Sequence, residues 1–286
     1  MRGLYYNRNV QKSYRPTTIN DMYIKLIIVN TIIFLFANIS VNFFNLGSFF
    51  ANYIALPLST SAFSKIWTFL TYQFLHLSFW HLFNNMIILW LFGRLTQLFF
   101  DKTTTLSIYI VGGISAALLT ILFFNSGGVL LGASGSIYAI MVATAYYRPN
   151  YTVNLFIFGP VKLKWIAIIL VVLGVIIDFK SNTAGKISHL GGGLFGLIYA
   201  YYRLRFRDIL MPFTKILHKT GVNKNIDLSK FKSKKYRLLT NNVKPIERDV
   251  PLQYRIDKIL DKINKRGIKS LTKDEQKILD EYHSKL

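Results

Sequence analysis

The sequence predicts an all-α polytopic membrane protein with a small soluble α-helical hairpin at its C-terminal end. Two observations carry this. Of 13 acidic residues only Asp21, Asp101 and Asp178 precede Arg203, and 22 of 35 basic residues lie from Arg203 onward, so residues 22–205 are almost uncharged. That stretch divides into six apolar segments, each closed by polar residues, Gly or Pro. About 20 apolar residues suffice to cross a bilayer core about 30 Å thick. The chain accordingly reads as an N-terminal arm (1–21), a membrane domain (22–205), a basic linker (206–250) and a helical hairpin (251–286). It has no cysteine, hence no disulfide framework and no thiolate nucleophile or metal ligand.

The first segment, 22–41, follows an arm (Arg2, Arg8, Lys12, Arg15) too long and polar for a cleavable signal, so it reads as an uncleaved anchor. A long connection, 42–75, carries Pro57, Trp67 and one charge, Lys65. The second segment, 76–100, is closed by Asp101-Lys102, and the third covers 105–124. The fourth, 134–147, is short and ends at Arg148-Pro149-Asn150. The fifth, 163–179, follows Pro160 and Lys162; the sixth, 189–202, ends on Arg203, Arg205 and Arg207. With six spans, the arm, the turns at 94–102 and 148–164 and the tail share one side. The positive-inside rule makes that side, and both termini, cytoplasmic. The other side keeps only Lys65, an uncharged turn at 125–128, and Asp178, Lys180 and Lys186. The even-numbered segments then start at the outer face, which brings Ser134, His189, His81 and Asn85 to one depth.

A helix over 134–147 rises only about 21 Å at 1.5 Å per residue. It therefore begins below one surface, and the glycine-rich run Gly127-Gly128-Val129-Leu130-Leu131 dips into the membrane. Irregular backbone at that depth is tolerated only where protein buries it or a water-filled cavity meets it. Ser134, within Gly132-Ala133-Ser134-Gly135-Ser136, then sits at a helix N-terminus beside free N–H groups and the positive end of the dipole. That setting suits a nucleophile and its oxyanion. The same small residues also serve close helix packing, and the run is not the Gly-x-Ser-x-Gly elbow, which needs glycine where Ser136 stands.

His189 heads the sixth segment, and Gly192 and Gly196 clear its face for a neighbouring backbone. If that neighbour is the fourth segment, His189 reaches the Ser134 hydroxyl, a weak nucleophile that needs such a base; otherwise it is a histidine bonded between helices. Tyr138, one turn after Ser134, either stacks on the imidazole or simply packs. His81 and Asn85, one turn apart, can donate to an oxyanion together with the Ser134 amide. Asn84 points elsewhere and is expected to bond between helices, while His76 is expected nearer the interface, tethering the long connection. A membrane aspartyl protease needs two buried carboxylates, which the segments do not offer. No glutamate precedes Glu247 to complete a His-Glu-x-x-His zinc site, so neither metal nor cofactor is expected.

Over residues 24–205 the sequence resembles the rhomboid intramembrane serine proteases of bacterial type. The resemblance rests on His76-x4-His81-x3-Asn85, Gly132-Ala133-Ser134-Gly135 with Tyr138, and His189-x2-Gly192-x3-Gly196, in that order. It implies a six-span bundle in the cytoplasmic membrane, a Ser134–His189 dyad without an acidic third member, and an oxyanion site from His81, Asn85 and the Ser134 amide. It also implies that Gly132 shapes the turn, that the long connection is a partly embedded loop marked by Trp67, and that the fifth span is a lateral gate. The implied substrates are single-span membrane proteins, with small residues at the cleaved position. Two positions depart from the family pattern: Thr68 stands where many members have arginine, and Gln97 where a glutamate is common.

From Arg203 the chain carries 22 basic and ten acidic residues. The stretch 215–244 reads as a linker near anionic lipid heads rather than a nucleic-acid binder. Ile256, Ile259, Leu260 and Ile263 fit one helix face; Thr272-x2-Glu275 reads as the capping box of a second helix bearing Ile278, Leu279 and Tyr282. Two rival readings remain. A catalytically silent rhomboid-like protein that binds membrane helices predicts a lost serine or histidine, and both are present. A transporter or channel wants midplane charge or inverted repeats, and neither is seen.

Overall fold

The computed structural model describes residues 17–124, 127–155, 159–176 (backbone only at 175 and 176), 182–206 and 208–220. In the tail it describes 259, 262, 271, 272 and 274–276. The chain divides into two compact units, Met1–Ile226 and Asp227–Leu286. Asp178, Lys180, the expected linker beyond residue 220 and most of the hairpin lie outside the described residues, and the described start of that linker holds a short helix, Met211–Lys219.

The long helices of the first unit are α1 (Met22–Phe44), α2 (Phe79–Phe99), α3 (Lys102–Phe123), α4 (Ser134–Tyr147), α5 (Leu163–Ile176) and α6 (Thr183–Arg205), followed by the short α7 (Met211–Lys219). Among the described residues α1 and α3 are long and apolar enough to cross a membrane. A third crossing exists if α2 and the helical stretch Thr68–Phe74, bent 94° from it, form one broken span. Two helices start elsewhere than expected. α2 begins at Phe79, so His76 precedes it. α6 begins at Thr183, where the Asn182 side chain accepts from the Gly185 amide at 3.0 Å, so His189 lies well inside the helix rather than at its head.

The fold is mostly helical rather than all-α. β1 (Leu56–Pro57) in the long connection pairs antiparallel with β2 (Val129–Leu130), and β3 (Thr152–Leu155) pairs with β4 (Gly159–Lys162). The first pairing has a clear cause: backbone without helical bonds needs partners when it leaves water. Gly127 and Gly128 turn the loop with φ of 83° and 84°, and Leu58 and Gly128 bond across it at 3.0 Å.

α4 is the hub. It packs against α2, α3, α5 and α6, and Ile137 through Met141 are all buried. A short helix with no polar face belongs at the centre of such a bundle. Its contact with α6 is made backbone to backbone. A methyl group on Gly192 would overlap the Gly135 carbonyl, and one on Gly196 would overlap the Ala139 carbonyl. A fully buried polar chain ties α4 to three other parts: Asn30 of α1 donates to the Tyr109 hydroxyl of α3 at 3.3 Å, Tyr109 donates to the Gln73 carbonyl of the long connection at 3.1 Å, and Ser136 of α4 donates to Gln73 Oε1 at 2.9 Å.

The two departures from the family pattern are both tethered. Thr68 is fully buried and donates to the Lys65 carbonyl at 2.7 Å, beside Trp67 donating to the Tyr53 carbonyl at 2.8 Å. Gln97 accepts from the Tyr23 amide at 3.3 Å, joining the end of α2 to the start of α1. In the second unit the capping box is formed: the Thr272 amide donates to Glu275 Oε2 at 2.8 Å, and the Glu275 amide to Thr272 Oγ1 at 3.3 Å. Lys262 also reaches Glu275 Oε2 at 2.6 Å, and this hydrogen bond chiefly holds the carboxyl below its ordinary range.

Two glycines on α6 test the packing argument against each other. Gly196→Ala is expected to destabilise the protein by about 1–3 kcal/mol in a reversible unfolding assay in mixed micelles. Gly193→Ala, whose added methyl meets only Val142 Cγ2 at 3.5 Å, is expected to be neutral or up to about 1 kcal/mol stabilising. Equal effects at both positions contradict the close α4–α6 contact.

Candidate active site

The site is assembled at the N-terminus of α4. The first helical bond into Ala133 comes from the Ile137 amide at 3.0 Å, so the amides of Ser134, Gly135 and Ser136 have no helical acceptor. The two amides before them are already used: Gly132 donates to the Tyr72 carbonyl at 2.9 Å and Ala133 to His76 Nε2 at 3.3 Å. The Ser134 N–H is thus the first amide of the turn without a hydrogen-bond partner among the described residues. Gly132 makes the turn possible, with φ of 115°, and a methyl there would come within 2.7 Å of His81 Cε1. Glycine is needed both for that φ and for the imidazole that lies against it. Gly135 has no side chain because Ala116 and Ser188 close in on it from α3 and α6.

His76 is fully buried and does more than tether the connection. Its Nδ1 faces the Phe74 carbonyl at 3.4 Å, while Nε2 meets both the Ala133 amide and Asn85 Nδ2, the latter at 3.2 Å. An amide N–H can only donate, so Nε2 carries the lone pair and Nδ1 the proton. The same logic fixes Asn85, which must present its NH2 group to His76. One N–H of that group and the carbonyl oxygen remain for other partners. His81 packs edge-on to His76 with ring centroids 5.0 Å apart and makes no hydrogen bond of its own among the described residues. Asn84 is exposed and makes none either, so the structure does not give it the interhelical bond expected of it.

His189 stacks on Tyr138, with ring centroids 4.2 Å apart and planes 5° from parallel. Its Nδ1 lies 3.2 Å from the Gly174 carbonyl of α5, and the Tyr138 hydroxyl donates to the Leu170 carbonyl of the same helix at 3.1 Å. Facing a carbonyl, Nδ1 carries the proton, which leaves the lone pair on Nε2, the arrangement a general base needs. A methyl on Gly174 would overlap the Tyr138 hydroxyl, so this glycine is the notch that lets α5 approach the pair. Sequence reasoning passed over Gly174, although it is the one glycine in an otherwise large-residue helix.

The structure therefore brings His81, Asn85, Gly132 and Ser134 together on one side, and His189, Tyr138, Gly135, Gly192 and Gly196 on the other. Gly192 meets Gly135 beside Ser134, while Gly196 lies one turn further along α4 against Ala139. No hydrogen bond joins Ser134 to His189 among the described residues. Free enzymes often hold such bonds long and tighten them only around a substrate. Among the described residues no cluster of three His, Asp or Glu side chains is placed to hold a metal ion.

The histidine assignments are directly checkable. In 15N spectra of protein labelled at histidine, His76 and His189 are expected as Nδ1–H tautomers with an unprotonated Nε2. An Nε2–H signal for His189 would remove its lone pair from the serine side and contradict the geometry above.

Comparison with known proteins shows the family to which this fold belongs. A model of the rhomboid domain matches residues 64–206, and a family of unknown function, DUF6576, matches residues 250–285. The chain is 28% identical over 143 residues to rhomboid protein 1, mitochondrial, of Saccharomyces cerevisiae, covering 45% of this chain and 39% of that protein. It is 26% identical over 204 residues to RHOMBOID-like protein 12, mitochondrial, of Arabidopsis thaliana, covering 65% and 59%. It is also 25% identical over 144 residues to the rhomboid protease GlpG of Haemophilus influenzae, covering 50% and 73%. The chain spans less than two thirds of the length of the yeast and plant relatives. With the rhomboid domain model matching half of its length, the chain belongs to the rhomboid family, as a polytopic membrane protein.

Proposed function

We propose that this protein is an intramembrane serine protease that cleaves transmembrane segments of single-span membrane proteins near the outer face. In this reading the membrane domain is a six-span bundle in the cytoplasmic membrane with both termini inside, and the basic tail lies near anionic lipid heads. The observation that carries the reading is the setting of His189: stacked on Tyr138, with Nδ1 on the Gly174 carbonyl, it keeps its Nε2 lone pair.

Ser134 Oγ attacks the scissile carbonyl while His189 Nε2 accepts its proton. The backbone carbonyl of Gly174 does part of the work of an acidic third member, fixing the tautomer and holding the imidazolium that forms. Negative charge on the former carbonyl oxygen is met by the Ser134 N–H, the remaining Asn85 N–H and His81. The intermediate collapses, the C–N bond breaks, and His189 returns the proton to the leaving amine. A water then hydrolyses the acyl-enzyme by the same steps in reverse order. An intact helix hides its carbonyls, so the scissile segment must first unwind, which favours substrates with Gly or Pro near their outer end.

The missing Ser134–His189 hydrogen bond favours one second reading, a rhomboid-like protein that binds membrane helices without cutting them. Purified protein in liposomes, given a panel of single-span substrates, separates the two. Cleavage is expected from wild type and is expected to fall at least about 10³-fold in Ser134→Ala and His189→Ala. Asn85→Ala is expected to lower kcat by about 10²–10³. Binding of these substrates by folded wild type without cleavage establishes the silent reading instead.

A further inference from the structure

Trp80, Phe83, Ile87 and Trp90 of α2 are exposed, at three- and four-residue spacing, and form an apolar stripe suited to lipid. Asn84 is exposed within it. The asparagine side-chain NH2 groups of α1 each donate to the carbonyl four residues earlier, and that of Asn85 in α2 meets His76. Asn30 donates to Leu26 at 2.8 Å, Asn38 to Phe34 at 2.9 Å and Asn42 to Asn38 at 2.8 Å. Asn84 does not: among the described residues its amide makes no hydrogen bond at all. A carboxamide set among apolar side chains is costly wherever lipid covers them, and polar groups inside membrane segments mark functional positions by default.

Its place on the helix says what it meets. Three residues after His81 and one before Asn85, Asn84 lies on the edge of the stripe that turns toward the oxyanion candidates. α2 and α5 both pack on α4, and α5 has its own lipid face in Trp165, Ile168 and Val172. A transmembrane segment approaching Ser134 along α2 slides over an apolar stripe while it is still helical. Once it unwinds, each peptide unit exposes an N–H and a C=O that lipid cannot satisfy. A carboxamide carries the matching acceptor and donor on one side chain.

We propose that Asn84 is a substrate-binding residue, its carboxamide hydrogen-bonding a peptide unit of the unwound transmembrane segment as it passes from lipid toward Ser134. The proposal rests on the protease reading above. Its effect is confined to substrates with a peptide backbone, because Asn84 contacts neither the nucleophile nor the base.

The test measures two rates on the same liposome preparations of wild type, Asn84→Leu and Asn84→Ser: cleavage of a single-span substrate, and labelling by a fluorophosphonate, which has no peptide backbone. Asn84→Leu completes the apolar stripe and is expected to fold at least as well as wild type. Its kcat/KM for the membrane substrate is expected to fall about tenfold, the worth of one such hydrogen bond, with labelling within about twofold of wild type. Asn84→Ser, which keeps a donor and an acceptor, is expected to recover part of the loss. Undiminished cleavage by Asn84→Leu overturns the proposal, as does an equal loss of cleavage and labelling, which places the residue in the catalytic apparatus. A wild type that neither labels nor cleaves overturns the protease reading itself.

Discussion

The contact on which the rest of the structure depends is the meeting of two backbones, where Gly192 and Gly196 of α6 lie against the carbonyls of Gly135 and Ala139 of α4. Backbones approach this closely only where no side chain intervenes, and in lipid such packing is a main source of helix association. The consequence is positional. With α6 seated against Gly135 and Ala139, His189 is carried over Tyr138, the residue one turn after Ser134. α5 completes the arrangement through Gly174, whose missing side chain admits Tyr138 and whose carbonyl meets His189. Four glycines on three helices thus set the geometry of one imidazole.

A second constraint works alongside it: polar groups taken out of water must find partners. The long connection shows this throughout. Its strand pairs with the loop before α4, its Gln73 takes the Ser136 hydroxyl, and its His76 takes the Ala133 amide and Asn85. These bonds leave the start of α4 with few free donors, and the ones that remain lie at the Ser134 end. In the proposed mechanism the leftover donors are the useful ones. Asn84 is the proposed counterpart on an exposed face of α2, an amide without a hydrogen bond among the described residues.

Much of this was legible in the residue pattern, for physical reasons that differ from place to place. The fourth segment was readable to its ends because glycine before Ser134 and Arg148-Pro149 after Tyr147 punctuate it strongly. Tyr138 and the Gly192/Gly196 face followed from helical spacing, which the close α4–α6 packing reproduces. The start of α6 was misplaced because Lys186 and small polar residues resemble a boundary, while the Asn182 cap that opens the helix is a three-dimensional feature. β1 and β2 were invisible because each is two residues long and defined only by its distant partner. The roles of His76, Gln73 and Gly174 depend on contacts 57, 63 and 15 residues apart along the chain, which no local spacing encodes.

The most direct measurement of the central claim is the site of covalent modification. Membranes containing the wild-type protein would be exposed to a fluorophosphonate and the modified residue located by peptide mass spectrometry. An activated serine at the start of α4 predicts a single adduct on Ser134 that disappears when His189 is replaced by alanine. An adduct on another serine, or an unreduced Ser134 adduct in His189→Ala, would contradict the pairing of nucleophile and base proposed for this fold.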